Sequence, residues 1–272
     1  MATPDLVDLK QAHRTTWAAG RYAAVAEMID VVAPDYLIER SGVAAGDRTL
    51  DVATGTGNVA VRTAALGADT VGLDLTPELL ELARSRADDA GVEVEWVVGD
   101  AEELPFPDES FDRVLSAFGT QFAPRHSVTA DELVRVCAPG GVIGLANWTP
   151  QGTIGELFRI LGRYLPAPPP YASAPPLWGD EDHVRGLFAG HDVELELERT
   201  TTPFRFDSAE HWVSFMETSY GPLLKARERL GAEGTWDDCR SEIVAMMERR
   251  NESPGGGLLV PAEYLLVLAR RP

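Results

Sequence analysis

Residues 50–60 read Leu50-Asp51-Val52-Ala53-Thr54-Gly55-Thr56-Gly57-Asn58-Val59-Ala60. The pattern indicates an apolar strand that ends in a glycine turn and leads into a helix. Gly55 and Gly57 permit a sharp turn and let a ligand lie against the backbone. The stretch also matches the dinucleotide pattern G-x-G-x-x-A, but one such match is weak evidence. A tight turn that binds nothing is the alternative for this segment.

Short apolar strands alternate with helical patterns on both sides of this turn. The predicted strands are 49–53, 70–74, 92–98, 112–116 and 142–147, and the predicted helices are 58–65, 77–90 and 128–137. This alternation predicts βαβ units and a Rossmann-like, doubly wound α/β fold whose sheet is mostly parallel, with helices on both faces. Sheets of this kind bind ligands beyond the carboxyl ends of their strands.

The regular alternation of strands and helices ends after residue 148. Residues 166–176 contain six prolines, which predicts a stiff, extended connector that cannot be a helix. Strands at 193–200 and 264–268 complete a seven-stranded sheet, and helices at about 208–230 and 236–250 lie between them. The chain therefore divides into an N-terminal helical cap (1–45), a ligand-binding core (46–150) and a part (151–272) that completes the sheet and carries an inserted helical lid (about 203–257).

Acidic residues follow the next two strands. Asp74 stands where a carboxylate can accept hydrogen bonds from both hydroxyls of a ribose. A helix cap is its structural alternative, but Thr76, with Pro77 at the first helical position, fits the capping role better. Asp100 can accept from an exocyclic amine while Ala101 lies on a purine face, although an acidic surface loop would look similar. Three consecutive strand ends of this kind indicate a nucleoside ligand.

Residues of about 14–150 resemble class I S-adenosylmethionine-dependent methyltransferases, closest in pattern to the ubiquinone/menaquinone C-methyltransferase-like group. The resemblance rests on residues 50–57, 71–74, 99–106 and 133–141. Ala53 departs from the pattern because it stands where the family usually has the first glycine of its loop; alanine keeps the side chain small. The resemblance implies that S-adenosyl-L-methionine is the cofactor and S-adenosyl-L-homocysteine the product.

The resemblance also implies which residues bind this cofactor. They lie at the glycine turn and at the ends of the next three strands, namely Asp51, Ala53, Thr54, Gly55, Gly57, Asp74, Leu75, Asp100, Ala101, Glu102, Ser116 and Phe118. Segment 17–22 resembles the N-terminal stretch that closes over the cofactor in the family, and Tyr22 is the candidate to reach the cofactor carboxylate. An aromatic anchor for the first helix is the alternative for Tyr22.

The charge at the glycine turn separates this cofactor from a nicotinamide dinucleotide. A pyrophosphate is bound by a helix N-terminus and often by a basic residue, whereas S-adenosylmethionine carries a sulfonium and an ammonium cation. Asp51 precedes the turn, and no Lys or Arg occurs between it and Arg62. An acidic turn favours the sulfonium cofactor.

Candidates for proton transfer and acceptor binding are less specific. A general base is needed only if the acceptor must lose a proton, and His126, just beyond the fourth strand, and His13, on the cap, are candidate bases. A histidine that opens a helix is more often structural. Aromatic and apolar residues are candidates for the acceptor pocket: Phe122, Trp148, Trp212, Phe215, Met216 and Tyr220. A core internal to the insertion is the alternative for most of them.

The composition restricts partners. With 43 Asp and Glu against 24 Lys and Arg, the net charge is -19, which argues against nucleic acid and anionic membrane surfaces. Cys137 and Cys239 form no CxxC or Cys/His cluster, so no disulfide framework and no metal site are expected. An acidic N-terminal stretch lacks the features of a secretory signal. We expect a cytoplasmic monomer or homodimer that acts on a small-molecule acceptor.

The predicted function is methyl transfer from S-adenosylmethionine to a small apolar or aromatic molecule, which suits an apolar lid. The alternative is a methyltransferase-fold protein that keeps the cofactor as a structural element and catalyses a cyclisation or rearrangement. An intact cofactor site is common to both, so the sequence leaves both open. An RNA methyltransferase is disfavoured because residues 116–119 read Ser-Ala-Phe-Gly where amino-methylating nucleic-acid enzymes carry an Asn/Asp-Pro-Pro-Tyr type of motif.

Overall fold

Seven strands form one mixed sheet in the computed structural model, which describes residues 4–30 and 32–272. The strands are β1 (Arg48–Val52), β2 (Asp69–Asp74), β3 (Glu95–Val98), β4 (Phe111–Ala117), β5 (Cys137–Trp148), β6 (Glu194–Phe206) and β7 (Leu258–Arg270). Their order is β3-β2-β1-β4-β5-β7-β6. Strands β1 to β5 pair in parallel, and β7 is antiparallel to both β5 and β6. The predicted Rossmann-like α/β fold is confirmed.

Eleven α-helices occur in the described residues. They are α1 (Pro4–Trp17), α2 (Tyr22–Ile29), α3 (Ala33–Ser41), α4 (Ala60–Ala65), α5 (Pro77–Ala90), α6 (His126–Val136), α7 (Thr153–Tyr164), α8 (Glu181–Phe188), α9 (Ala209–Ser219), α10 (Gly221–Glu233) and α11 (Trp236–Arg249). The predicted cap, 1–45, corresponds to α1, α2 and α3, except that residues 1–3 and 31 lie outside the described residues.

The two faces of the sheet carry separate hydrophobic clusters. One cluster joins β4, β5 and β7 to α3, α7 and the helices inserted between β6 and β7. The other joins β1, β2 and β4 to α6 and α8. Leu50 and Val52 of β1 are both fully buried in this second cluster, because residues two apart in a strand point to the same face of the sheet.

The region after residue 148 is more helical than its sequence suggests. Helices α7 and α8 were not predicted, and the single helix expected at 208–230 is two helices that meet at Tyr220. Pro222 causes this break because proline cannot occupy the interior of a continuous helix. The proline-rich connector is also not wholly extended, since Pro175–Gly179 forms a 3-10 turn with prolines at its first positions.

The insertion begins later than the predicted residue 203. Strands β6 and β7 continue as a long antiparallel pair that runs from Glu194 opposite Arg270 to Phe206 opposite Leu258. Residues 203–206 therefore belong to the sheet, and the inserted helices are α9, α10 and α11. Phe204 is fully buried in the strand, so it is part of the hydrophobic core under the insertion.

The N-terminal cap and the insertion touch through two glycines. The Arg21 N–H donates to the Ser219 carbonyl at 3.2 Å, and a Cβ added to Gly20 would lie 2.7 Å from that same carbonyl oxygen. A Cβ on Gly221 would lie 2.0 Å from the Thr16 carbonyl oxygen. We call α1, α2, α9 and α10 the roof, because together they cover the carboxyl ends of the central strands.

The close approach at Gly221 predicts a specific loss of stability. In Gly221→Ala the added Cβ would overlap the Thr16 carbonyl oxygen, which belongs to the backbone and cannot rotate away. We therefore expect this substitution to lower the free energy of unfolding by about 2 kcal/mol. Gly231→Ala, in the same helix α10, meets nothing within 4 Å and should raise stability by about 0.5–1 kcal/mol because alanine favours helix. Chemical denaturation measures both; equal effects would contradict the packing described.

Candidate active site

A cleft of about 710 Å³ opens at the carboxyl ends of the central strands, beneath the roof. Its position matches the switch in strand order between β1 and β4, where open α/β sheets bind ligands. The cleft is lined by the turns after β1, β2, β3 and β4 and by two roof helices, through Lys10, His13, Trp17, Tyr22, Ala53, Gly55, Leu73, Asp74, Leu75, Thr76, Leu79, Gly99, Asp100, Ala101, Phe118, Gly119, Thr120, Phe122, Ala123 and Pro124.

The turn after β1 holds an unusual backbone conformation. Ala53 has φ +55° and Gly55 φ +56°, a region that alanine adopts only at some cost. Gly119 lies directly against Ala53, since a Cβ on Gly119 would sit 2.4 Å from the Ala53 carbonyl oxygen. Gly57 does not line the cleft; a Cβ there would meet the Trp96 ring at 2.9 Å. Gly57 therefore serves packing on β3.

Asp74 connects two of these turns. One carboxylate oxygen accepts the Gly55 N–H at 2.8 Å and the other accepts the Thr76 N–H at 2.8 Å. Thr76 is the N-cap of α5, as predicted, but its own side chain makes no capping hydrogen bond. Asp74 thus holds the residue that precedes helix α5 as well as facing the cleft. Each oxygen retains a second lone pair, so both ribose hydroxyls of a nucleoside can still donate to it.

Asp51 lies behind the glycine turn rather than in the cleft. Its carboxylate accepts the Thr54 hydroxyl at 2.5 Å and the Ala60 N–H at 3.0 Å. Burial raises the pKa of Asp51 to about 7, against the effect of these two hydrogen bonds, and the charge of Asp74 adds to the rise. Asp51 and Thr54 line a smaller space on the far side of Gly55, so the structure places them near the predicted cofactor but not against the main cleft.

The turn after β3 carries two acids that both pair with Lys10, and Asp100 is the one that lines the cleft. Asp100 and Ala101 line the cleft, whereas the Glu102 side chain is fully buried and bonds to Lys10 at 2.6 Å and Arg125 at 2.8 Å. Lys10 of α1 also pairs with Asp100 at 2.5 Å. Glu102 therefore connects helix α1 of the roof to the core through Lys10. Lys10 also lines the cleft, and no sequence pattern indicated this role.

The end of β4 contributes Phe118 to the cleft, with φ +60°. Ser116 does not reach it: its hydroxyl donates to the Val52 carbonyl at 2.7 Å and accepts the Thr120 N–H at 3.1 Å. Tyr22 lies beside Gly55 at the entrance, and burial together with the nearby Asp74 raises its pKa. This position beside Asp74 is compatible with the predicted contact to the cofactor.

The two candidate bases have different surroundings. His13 lines the cleft, and burial lowers its pKa. His126 does not line it; its side chain is buried against Trp178, its Nδ1 lies 3.0 Å from Nε2 of His183, and its Nε2 has no partner. The geometry does not support a catalytic role for His126, because no cleft surface reaches its ring.

A second, smaller space continues from the cleft into the roof. Trp17, Tyr22, Phe118 and Phe122 line both spaces, and we call the second one the inner chamber. Of the predicted acceptor residues, Phe122, Trp148, Met216 and Tyr220 line the inner chamber. The inner chamber is otherwise walled by apolar side chains, namely Val25, Met28, Ile29, Ile154 and Phe204.

Two predicted acceptor residues lie elsewhere. Trp212 is fully buried and stacks on Phe204 at 6.2 Å between ring centroids. Phe215 packs on Phe206 at 5.4 Å. Neither lines the cleft or the inner chamber; both pack helix α9 of the insertion onto strand β6.

The charge of the cleft fits a cationic nucleoside. Among its described lining residues, Asp74 and Asp100 are acidic and Lys10 is basic, and Lys10 is already paired with Asp100 and Glu102. A sulfonium or ammonium group meets no competing cation at the glycine turn.

No cluster of His, Cys, Asp and Glu suited to a metal occurs in residues 4–30 and 32–272. Within those same ranges, no helix is long and apolar enough to cross a membrane.

Comparisons with known proteins agree with this geometry. Residues 50–145 match a family model described as a methyltransferase domain. An uncharacterised protein of Mycobacterium tuberculosis is 45% identical over 261 residues, which cover 95% of this chain and 94% of the relative. The demethylmenaquinone methyltransferase of Thermus thermophilus is 41% identical over 117 residues, covering 42% of this chain and 53% of that enzyme.

A solved structure shows the same fold. The putative methyltransferase from Bacillus halodurans superposes with a TM-score of 0.63 at 23% identity, covering 88% of this chain and 98% of the other. The fold and the site define a Rossmann-like enzyme that binds S-adenosylmethionine. The chain belongs to the class I S-adenosylmethionine-dependent methyltransferases and resembles the ubiquinone/menaquinone group.

The geometry at Asp74 predicts the effect of neutralising it. Asp74→Asn replaces one acceptor oxygen with an amide donor, so we expect the dissociation constant of S-adenosylmethionine to rise at least about tenfold. Asp69→Asn, at the exposed start of β2, is the matched control and should bind as the unchanged protein does. Calorimetry measures both. Unchanged affinity in Asp74→Asn would refute the ribose contact.

The histidine pair predicts an acid-sensitive fold. Burial, reinforced by His183, lowers the pKa of His126 to about 4, below the usual unfolded value of about 6.5. At this residue the unfolded chain binds more protons, so the contribution of His126 to stability is fully present above about pH 6.5 and is lost as the pH falls toward 4, by about 3 kcal/mol. The raised pKa of Asp51 acts in the opposite direction over the same range, so the contribution of His126 is read as the difference between the unchanged protein and His126→Gln.

Urea denaturation between pH 7 and 4 measures this loss. His126→Gln should flatten the pH dependence, whereas His211→Gln, whose side chain is half exposed, should keep it. A dependence that survives in His126→Gln would show that other groups cause it.

Proposed function

We propose that this methyltransferase acts on a small acceptor with an apolar or aromatic body. The observation that carries the proposal is the inner chamber, which opens from the cleft and is lined by aromatic and aliphatic side chains. Trp17 and Phe122 lie 4.7 Å apart between ring centroids at the junction of the two spaces. An apolar acceptor that fills the chamber removes these surfaces from water.

In this proposal the cofactor binds in the cleft and the acceptor binds in the inner chamber. When bound, S-adenosylmethionine supplies an electrophilic methyl group. The residues suited to hold it are Gly55, Asp74, Asp100 and Ala101 in the cleft. Phe118 and Phe122 separate this part from the chamber, and they can align an acceptor and exclude water from it.

The proposal includes a conditional role for His13. Burial lowers its pKa, so the ring is neutral at pH 7 and able to accept a proton from a phenol or hydroxyl acceptor. An acceptor that reacts at a carbon or a neutral amine needs no such base. The wall around His13 also contains Lys10, whose charge contributes to the lowering.

The acidic composition supports a small-molecule partner. Nucleic acid and anionic membranes are unsuited to a chain of net charge -19, and we propose a cytoplasmic monomer or homodimer. A non-methylating cyclisation or rearrangement is the second candidate that the sequence left open. No observation in the structure favours it over methyl transfer.

Formation of S-adenosylhomocysteine tests the proposal. The protein with S-adenosylmethionine is offered a panel of substituted phenols, naphthols, quinols and indoles, and an equal panel of sugars and nucleotides. We expect product with members of the first panel only, and a rise in KM of about tenfold or more in Phe122→Ala, which removes a chamber wall. Phe215→Ala, outside the chamber, is the control. Product from the polar panel alone would contradict the proposal.

A further inference from the structure

The hydroxyl of Tyr220 is a polar group of the inner chamber that has no partner among the described residues. Tyr220, at the junction of α9 and α10, is 6% exposed and lines the chamber. Its hydroxyl makes no hydrogen bond with any residue in the described ranges. The hydroxyls of Tyr171 and Tyr264 are sealed among protein atoms without a partner, but the Tyr220 hydroxyl is not among such sealed groups, so it remains open to a ligand.

The ring of Tyr220 is held in place by its neighbours. Its backbone N–H donates to the Met216 carbonyl at 2.9 Å, and its ring lies 5.7 Å from that of Trp17. Gly221, the next residue, is pressed against Thr16. The hydroxyl therefore occupies a fixed position, which is what a recognition group requires.

Three other residues with a polar side-chain group line the chamber, namely Tyr22 through its hydroxyl and Trp17 and Trp148 through their indole N–H groups. Tyr22 lines both the chamber and the cleft, and the charge of Asp74 acts on it, so its hydroxyl faces the cofactor side. The remaining chamber side chains are apolar. An acceptor that fills the chamber without offering a hydrogen bond would strip water from the Tyr220 hydroxyl and leave it unpaired, which is unfavourable.

We propose that Tyr220 binds the acceptor through its hydroxyl, and that the acceptor is an apolar ring system carrying a hydroxyl or carbonyl oxygen. This inference rests on the proposed function. Burial and the neighbouring Tyr22 raise the pKa of Tyr220, so the group stays a neutral phenol that donates or accepts a hydrogen bond and does not act as a base. Tyr220 therefore determines which acceptor fits and how it is oriented.

Two probes of nearly equal shape test this role in the protein loaded with S-adenosylhomocysteine. 2-Naphthol carries the oxygen, and 2-methylnaphthalene has a methyl group in its place. The ratio of their dissociation constants is measured for the unchanged protein, for Tyr220→Phe, and for Tyr164→Phe as the matched control, whose hydroxyl donates to Glu242 at 2.6 Å outside the chamber. Tyr220→Phe keeps the ring and hence the packing, and denaturation verifies that it folds.

We expect Tyr220→Phe to reduce the preference for 2-naphthol by about threefold to tenfold, the worth of a neutral hydrogen bond, with the affinity for S-adenosylhomocysteine unchanged. Tyr164→Phe should leave both the probe ratio and the affinity for S-adenosylhomocysteine unchanged. A probe ratio that is the same in Tyr220→Phe overturns the inference alone. Failure of the unchanged protein to bind either probe overturns the proposed apolar acceptor, and this inference with it.

Discussion

The shape of the cleft depends on the carboxylate of Asp74. Its two oxygens hold the Gly55 and Thr76 amides at 2.8 Å each, so the turns after β1 and β2 are fixed relative to one another. Burial raises the pKa of this group and the backbone donors lower it. The carboxylate oxygens that would bind a ribose thus also hold the two turns against which the ribose would lie. A substitution of Asp74 therefore affects ligand binding and local folding together.

The central part of the fold was predictable because its signals are local. A strand, a glycine turn and a helix follow one another within residues 50–65, and an acid at each strand end falls on one edge once the strands are parallel. Asp74, Asp100 and Phe118 line the cleft for this reason. The acceptor residues were only partly predictable, since four of the six line the inner chamber. Helical spacing places Trp212 and Met216 on one helix, but only the packing of α9 shows that Trp212 faces the core.

The remaining features depend on contacts between distant segments. Lys10 reaches Asp100 and Glu102 across 90 residues of chain or more, and no motif in the N-terminal helix marks it. His126 lies just beyond the fourth strand, which made it a candidate base, yet its ring lies against His183 in α8, a helix that was not predicted. Helix α7 has apolar residues at helical spacing, including Ile154, Leu157 and Leu161. It was not predicted because the regular alternation of strands and helices ends at residue 148.

The contact between cap and insertion has a consequence for protein engineering. Residues 16–21 and 219–221 meet backbone to backbone, with both glycines pressed against carbonyl groups. Either segment can therefore accept a side chain only if the other retreats. Replacing one segment alone should therefore disturb the packing of the roof, and a chimera that takes its first thirty residues from a relative needs the matching α9–α10 hairpin from the same parent.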